Sequence, residues 1–160
     1  MSAEKLKFKL ELYATMWDRP PVAEILMNDK SYFKGDITTT EDKPTLIEFE
    51  HECEEGKDHR LVIKRSGKGE NQAVVNDKGD LLKDQLLNIK SIEIDEIDIG
   101  ALVYEGTYTP DYPEPWATQQ REAGVELQES FKNVTRMGHD GTWQFKFTSP
   151  FYMWLLENLY

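Results

Sequence analysis

Leu6-Lys7-Phe8-Lys9-Leu10-Glu11-Leu12-Tyr13-Ala14 alternates apolar and polar side chains without a break. Successive side chains of a strand point to opposite faces, so a period of two predicts a strand with one buried face. Leu6, Phe8, Leu10, Leu12 and Ala14 are expected inward. The same period recurs downstream. Residues 22–27 read as a second strand, the polar turn Asn28-Asp29-Lys30 reverses the chain, and residues 32–37 return as a hairpin. Thr45, Ile47, Phe49 and His51 alternate again. After the loop 54–58, His59, Leu61 and Ile63 do the same. From Leu87 onward the phase slips: Leu87 and Ile89 have one parity, Ile92 and Ile94 the other. A β-bulge at Lys90-Ser91 restores all four to one face. Pro20 and Pro21 cannot donate to a central ladder and mark a loop over 15–21.

Short strands separated by turn signals predict a mostly β chain, an antiparallel β-sandwich of jelly-roll type. Its expected core is Phe8, Leu10, Leu12, Ile47, Phe49, Leu61, Ile63, Ile89, Ile92 and Ile94. Residues 1–103 are read as this sandwich. Residues 104–160 differ: Pro110, Pro113 and Pro115 alternate with Tyr108, Tyr112 and Trp116 in what reads as an extended arm. A short helix is expected over 118–131, a strand at Trp143, Phe145 and Phe147, and a terminal helix opened by Ser149-Pro150 as cap and first turn. This region is expected to be an irregular extension, packing on the core or on neighbouring subunits.

Composition bounds the function. At 160 residues the chain fits one domain. A chain of that size buries about 68–70% of its unfolded surface and needs no disulfide or metal to hold a core. Cys53 is alone, so there is no intrachain disulfide. The net charge of -11 repels nucleic-acid phosphates, and no basic stripe offsets it. No run of apolar residues is long enough to span a bilayer. The opening residues lack the apolar stretch of a signal peptide, so synthesis and folding in a cytoplasm are expected.

Three constellations carry candidate chemistry. Asp77, Asp80 and Asp84, in the polar loop 66–84, are hard oxygen donors of the kind calcium takes, although the spacing is not that of an EF-hand. The bland alternative is a solvated loop. Tyr108, Tyr112 and Trp116 are candidates for a sugar-stacking platform, with anchoring of the arm as the alternative. His51, Cys53 and His59 are the one group with zinc-ligand or nucleophile chemistry. They lack C-x-x-C or H-x-x-x-H spacing, and the two histidines fall on inward parity, which favours satisfied core or edge histidines. There is no Walker loop, GxGxxG or GxSxG motif. The 30 acidic residues provide so many carboxylate pairs that no pair is informative.

The order Asn76-Asp77, then Asp84-Gln85-Leu86-Leu87-Asn88-Ile89, then Ile92-Glu93-Ile94 resembles the closing motif of calcium-dependent xylan-binding carbohydrate-binding modules. Residues 8–14, 22–29 and Asp58-His59-Arg60-Leu61-Val62-Ile63 are similar to that family's opening strands and to its Gly-x-His strand. Gln85-Leu86 stands where the family has Arg-Asn. The resemblance spans roughly residues 6–99. It implies a jelly-roll that binds calcium through Asp77, Asp80 and Asp84, with the metal contacting sugar hydroxyls. The ending, from Gly141-Thr142-Trp143 through Ser149-Pro150-Phe151-Tyr152-Met153-Trp154-Leu155, resembles small structural proteins of tailed bacteriophages. Phe151, Trp154 and Leu155 then become candidate subunit contacts at helical spacing. The reading that combines both resemblances is a non-enzymatic virion structural or decoration subunit, made in the host cytoplasm, with a carbohydrate-binding-like domain. Its partners would be other virion subunits, further copies of itself or a surface glycan. The alternatives are a free calcium-dependent carbohydrate-binding module and, third, a glycan-acting enzyme.

Overall fold

The computed structural model describes residues 2–15, 20–67, 74–75, 81–83, 85–112 and 114–159. In chain order the strands are β1 (Ala3–Thr15), β2 (Val22–Met27), β3 (Lys30–Asp36), β4 (Thr45–Glu54), β5 (Asp58–Ser66), β6 (Val74–Val75), β7 (Leu81–Lys83), β8 (Leu86–Ile94) and β9 (Ile97–Asp98). A 3-10 helix (Gly100–Glu105) leads into β10 (Thr107–Pro110) and helix α1 (Trp116–Glu122). Strands β11 (Phe131–Lys132), β12 (Arg136–Met137) and β13 (Gly141–Thr148) follow, then helix α2 (Phe151–Leu159). Two antiparallel sheets form the sandwich. One has the order β12-β8-β1-β4 with β9 beside β8, and the other β11-β10-β13-β5-β2-β3. Strands β6 and β7 pair separately.

The alternation in β1 translates directly into burial. Leu6, Phe8, Leu10, Leu12 and Ala14 lie in the core, while the residues between them face outward. Nine of the ten expected core residues are buried; the tenth, Phe49, is half-buried and packs against the cluster. The bulge also falls where the parity slip puts it. Leu12 is opposite Ile89 and Glu11 opposite Ser91, so Lys90 is the extra residue. Leu87, Ile89, Ile92 and Ile94 thereby all reach the core.

A second irregularity closes the open side of the sandwich. Between Ile25↔Phe33 and Leu26↔Ser31 the β2–β3 register shifts, leaving Tyr32 unpaired. Its ring stacks on Phe49 of the opposite sheet at 4.4 Å, and its hydroxyl bonds His51 Nδ1 at 2.6 Å. The two edge strands are thus tied across the gap by one tyrosine.

The region after residue 104 differs from an extension lying on a finished sandwich. β13 runs between β10 and β5 and pairs with β5 along its whole length, from Gly141↔Arg65 to Thr148↔Asp58. Trp143, Phe145 and Phe147 supply three of the largest buried side chains. The proline-rich arm becomes an edge-proximal strand at 107–110. The helix expected over 118–131 is only Trp116–Glu122, and the chain leaves it at Gly124 with φ +85°. Two close approaches require glycine. A Cβ on Gly106 would meet the Trp143 ring at 2.3 Å, and one on Gly141 would meet the Thr109 carbonyl oxygen at 2.4 Å. No described helix is long and apolar enough to cross a membrane.

Candidate functional site

The three aromatic candidates divide. Tyr108 is 4% exposed, stacked on Phe131, and its hydroxyl donates to the His139 carbonyl at 2.5 Å while accepting the His139 amide at 2.9 Å. Burial pushes its phenol up to about 12. Tyr108 therefore has no face open to a ligand; it holds the 138–141 turn. Tyr112 and Trp116 do come together, ring centroids 6.0 Å apart, on either side of the chain reversal that starts α1. Trp116 keeps 37% of its surface exposed, because Ala117 rather than Trp116 is the residue of α1 that packs inward. Tyr112 is fixed by donating its hydroxyl to the Gln128 carbonyl at 2.6 Å. His139, read in the sequence only as a turn residue and not as a site candidate, completes the group at 5.2 Å from Tyr112 and 5.6 Å from Trp116. Its only sequence signal was its place in the Gly138–Gly141 turn.

Beside this aromatic group the outer face of the second sheet forms a groove of about 650 Å³, within the range of ligand clefts. Its floor follows the strand register: Lys34 lies across from Glu24, Glu24 from Lys64, Lys64 from Thr142, and Thr142 from Thr109. Asp111 and Asp140 line one end, where the Asp111 amide donates to the Asp140 carbonyl at 2.6 Å. These two are the chain neighbours of Tyr112 and His139.

Asp77, Asp80 and Asp84 lie outside the described residues. Among the described residues no group of three His, Cys, Asp or Glu is placed to hold a metal ion. The fit of calcium therefore rests on the donor chemistry of those three carboxylates. The exit of their loop is anchored. Gln85 is fully buried, and both its backbone and side-chain oxygens accept from Arg65 Nη2 at 2.6 Å.

The His–Cys group is structural. His59 is buried, with Nε2 bonded to the Glu54 carbonyl at 2.9 Å and Nδ1 to Asn28 Nδ2 at 3.2 Å. Desolvation, with His59 and Lys30 adding to it, lowers the His51 pKa. The buried Cys53 thiol is pushed up to about 12, first by desolvation and then by Glu4, so it carries no thiolate at neutral pH.

The α2 candidates sit largely in their own domain. Phe151 is fully buried and Leu155 is 7% exposed, both within the core cluster, and Trp154 is half-buried with its ring 5.4 Å from Phe145. This corrects the subunit-contact expectation for Phe151 and Leu155: the open end of the sandwich takes the stripe. Tyr152, Met153 and Leu156 form the exposed face instead.

No protein-family model matches this chain, and no curated protein matches it. Among solved structures, the selenomethionine form of vCBM60, a module described with the circular permutation linking two families of calcium-dependent carbohydrate-binding modules, aligns with a TM-score of 0.50. Identity is 6% over 88% of this chain and 89% of that one. The vCBM60 complex with galactobiose aligns at a TM-score of 0.45 and 9% identity, over 87% and 96%. The chain thus has the β-sandwich fold of a carbohydrate-binding module, extending through its last third.

Proposed function

We propose that this chain is a carbohydrate-binding module that engages sugar with calcium and leaves it chemically unchanged. The observation that carries the reading is the fold likeness across nearly the full length of both chains. The exposed Trp116, with the half-buried Tyr112 beside it, adds a surface of the right chemistry, since an aromatic face packs on the apolar face of a pyranose while polar groups at its rim orient the hydroxyls. Asp77, Asp80 and Asp84 would hold the calcium, which when bound offers open coordination positions to sugar hydroxyls. Cys53 and both strand histidines have structural duties, so catalysis has no part in the proposal. Affinity electrophoresis in gels containing soluble xylan tests it. Retardation in millimolar calcium that weakens in EDTA is expected. Unretarded migration in calcium through xylan, mannan and β-glucan gels alike would contradict it.

A second reading, that the domain also docks in a phage particle, is favoured by the outer face of α2. Tyr152, Met153 and Leu156 are 46%, 60% and 61% exposed there. Sedimentation at high concentration should show self-association; a strict monomer that binds no particle component removes this reading.

A further inference from the structure

We propose that His51 and His59 form an acid-released latch on the β2–β3 hairpin. Each holds the hairpin through a ring nitrogen that has to stay unprotonated, so acid opens the edge between β3 and β4.

Hydrogen-bond direction fixes the state of His59. Asn28 opens the hairpin turn with φ +56°, and its side-chain oxygen accepts the Arg60 amide at 3.1 Å. That bond assigns Nδ2 of Asn28 to the His59 side, where it lies 3.2 Å from Nδ1. An amide nitrogen only donates, so Nδ1 accepts. Nε2 lies 2.9 Å from the Glu54 carbonyl, which only accepts, so the one ring proton is on Nε2. Both contacts fit the neutral Nε2–H imidazole and no other form. His51 repeats the arrangement. Its Nδ1 is 2.6 Å from the Tyr32 hydroxyl, the length of a bond donated by O–H and shorter than the usual N–H···O bond. Tyr32 therefore donates and Nδ1 accepts.

The two histidines grip one element, because Asn28 and Tyr32 flank the same turn. Among the described strands β3 pairs with β2 alone, and β4 is the edge of the opposite sheet. Tyr32 is the unpaired residue of the register shift, so its hold on β4 is by side chain: the stack on Phe49 and the bond to His51.

A proton on Nδ1 sets donor against donor at Asn28, and at Tyr32 it forces the phenol to turn its own proton away. The surroundings oppose that charge. At His51 burial acts first, then His59 and Lys30, with Glu52 working the other way. The Lys30 ammonium lies 5.1 Å from the Tyr32 ring, and Leu6, opposite His51 on β1, brings no charge. Around His59, Phe147 of β13 packs on the ring, Lys57 is paired with Glu54 at 2.7 Å and Arg60 with Asp29 at 2.8 Å. Those carboxylates are already engaged. Since the fold favours neutral His51, the stability it contributes is complete above the ordinary value of 6.5 and is lost as pH falls through the lowered folded value.

NMR on the whole chain tests the latch. Two-bond nitrogen–proton correlation at pH 7.5 should show both rings as the neutral Nε2–H tautomer. Amide exchange, corrected for the intrinsic rate at each pH, should show residues 30–36 losing protection at least tenfold between pH 7.5 and 5.5, while β1 and β8 keep theirs. His51→Asn places an uncharged carboxamide oxygen where Nδ1 stands, and should cut that acid loss threefold or more. Tyr32→Phe, which keeps the ring stack, should lower β3 protection already at pH 7.5 and flatten its response to acid; it serves alone if His51→Asn does not fold. The proposal is overturned if either ring carries its proton on Nδ1, if β3 protection is equal at the two pH values, or if all strands lose protection together. It is also overturned if either folded variant responds to acid as wild type does.

Discussion

Glu4, near the start of β1, accepts from the Ser149 hydroxyl and from the Phe151 amide, the latter at 2.6 Å. A carboxylate at the first turn of α2 both satisfies an orphan amide and lies at the positive end of the helix dipole. Ser149-Pro150 placed the helix start one residue early, at Pro150 rather than Phe151, and Ser149 does not cap it: the cap acceptor comes from a strand 147 residues before Phe151, which no local pattern could reveal. Glu4→Ala should cost about 1 kcal/mol of stability, read as a lower chemical-denaturation midpoint; an unchanged midpoint would show that the contact contributes nothing. Tyr108 makes the same point in the other direction. Its chemistry suggested a sugar platform, but burial assigns it to holding the turn that carries His139, and along the arm Trp116 stays exposed and Tyr112 half-buried.

At the scale of elements, whatever depended on local periodicity was readable. The burial of β1, the bounds of β2 and the bulge at Lys90 all follow from parity along one segment. Pairing between distant segments was not readable, because alternation specifies a strand's inner face and not its neighbours. Trp143, Phe145 and Phe147 were recognisable as a strand, yet nothing in them announces that β5 is the partner. For α2 the stripe of Phe151, Trp154 and Leu155 was legible, and its destination was not. A stripe fits a neighbour's surface or the open end of its own sandwich equally well until the second sheet is in place. With Phe151 fully buried against Phe147, Phe151→Ala should destabilise the dilute monomer by about 3–5 kcal/mol. A monomer that keeps its denaturation midpoint while losing self-association would return Phe151 to a subunit interface.

For the whole molecule, the last third is part of the sandwich, not an appendage: without β10 and β13 the second sheet would lose two of its six strands and its largest aromatic residues. That same third brings the Tyr112–Trp116 pair to the end of the groove whose far side is built from β2, β3 and β5. The acidic loop could be identified by composition, since three aspartates in eight positions are a donor set whatever their arrangement. The groove could not, because it exists only once five strands lie in register. The central claim is that this surface binds sugar, and calorimetric titration of xylohexaose into wild type and Trp116→Ala, both in millimolar calcium, tests it most directly. Wild type should bind, and the variant, equally folded by circular dichroism, should bind roughly tenfold more weakly through loss of the stacking face; wild type that gives no heat, or a variant that binds as well as wild type, would contradict the account.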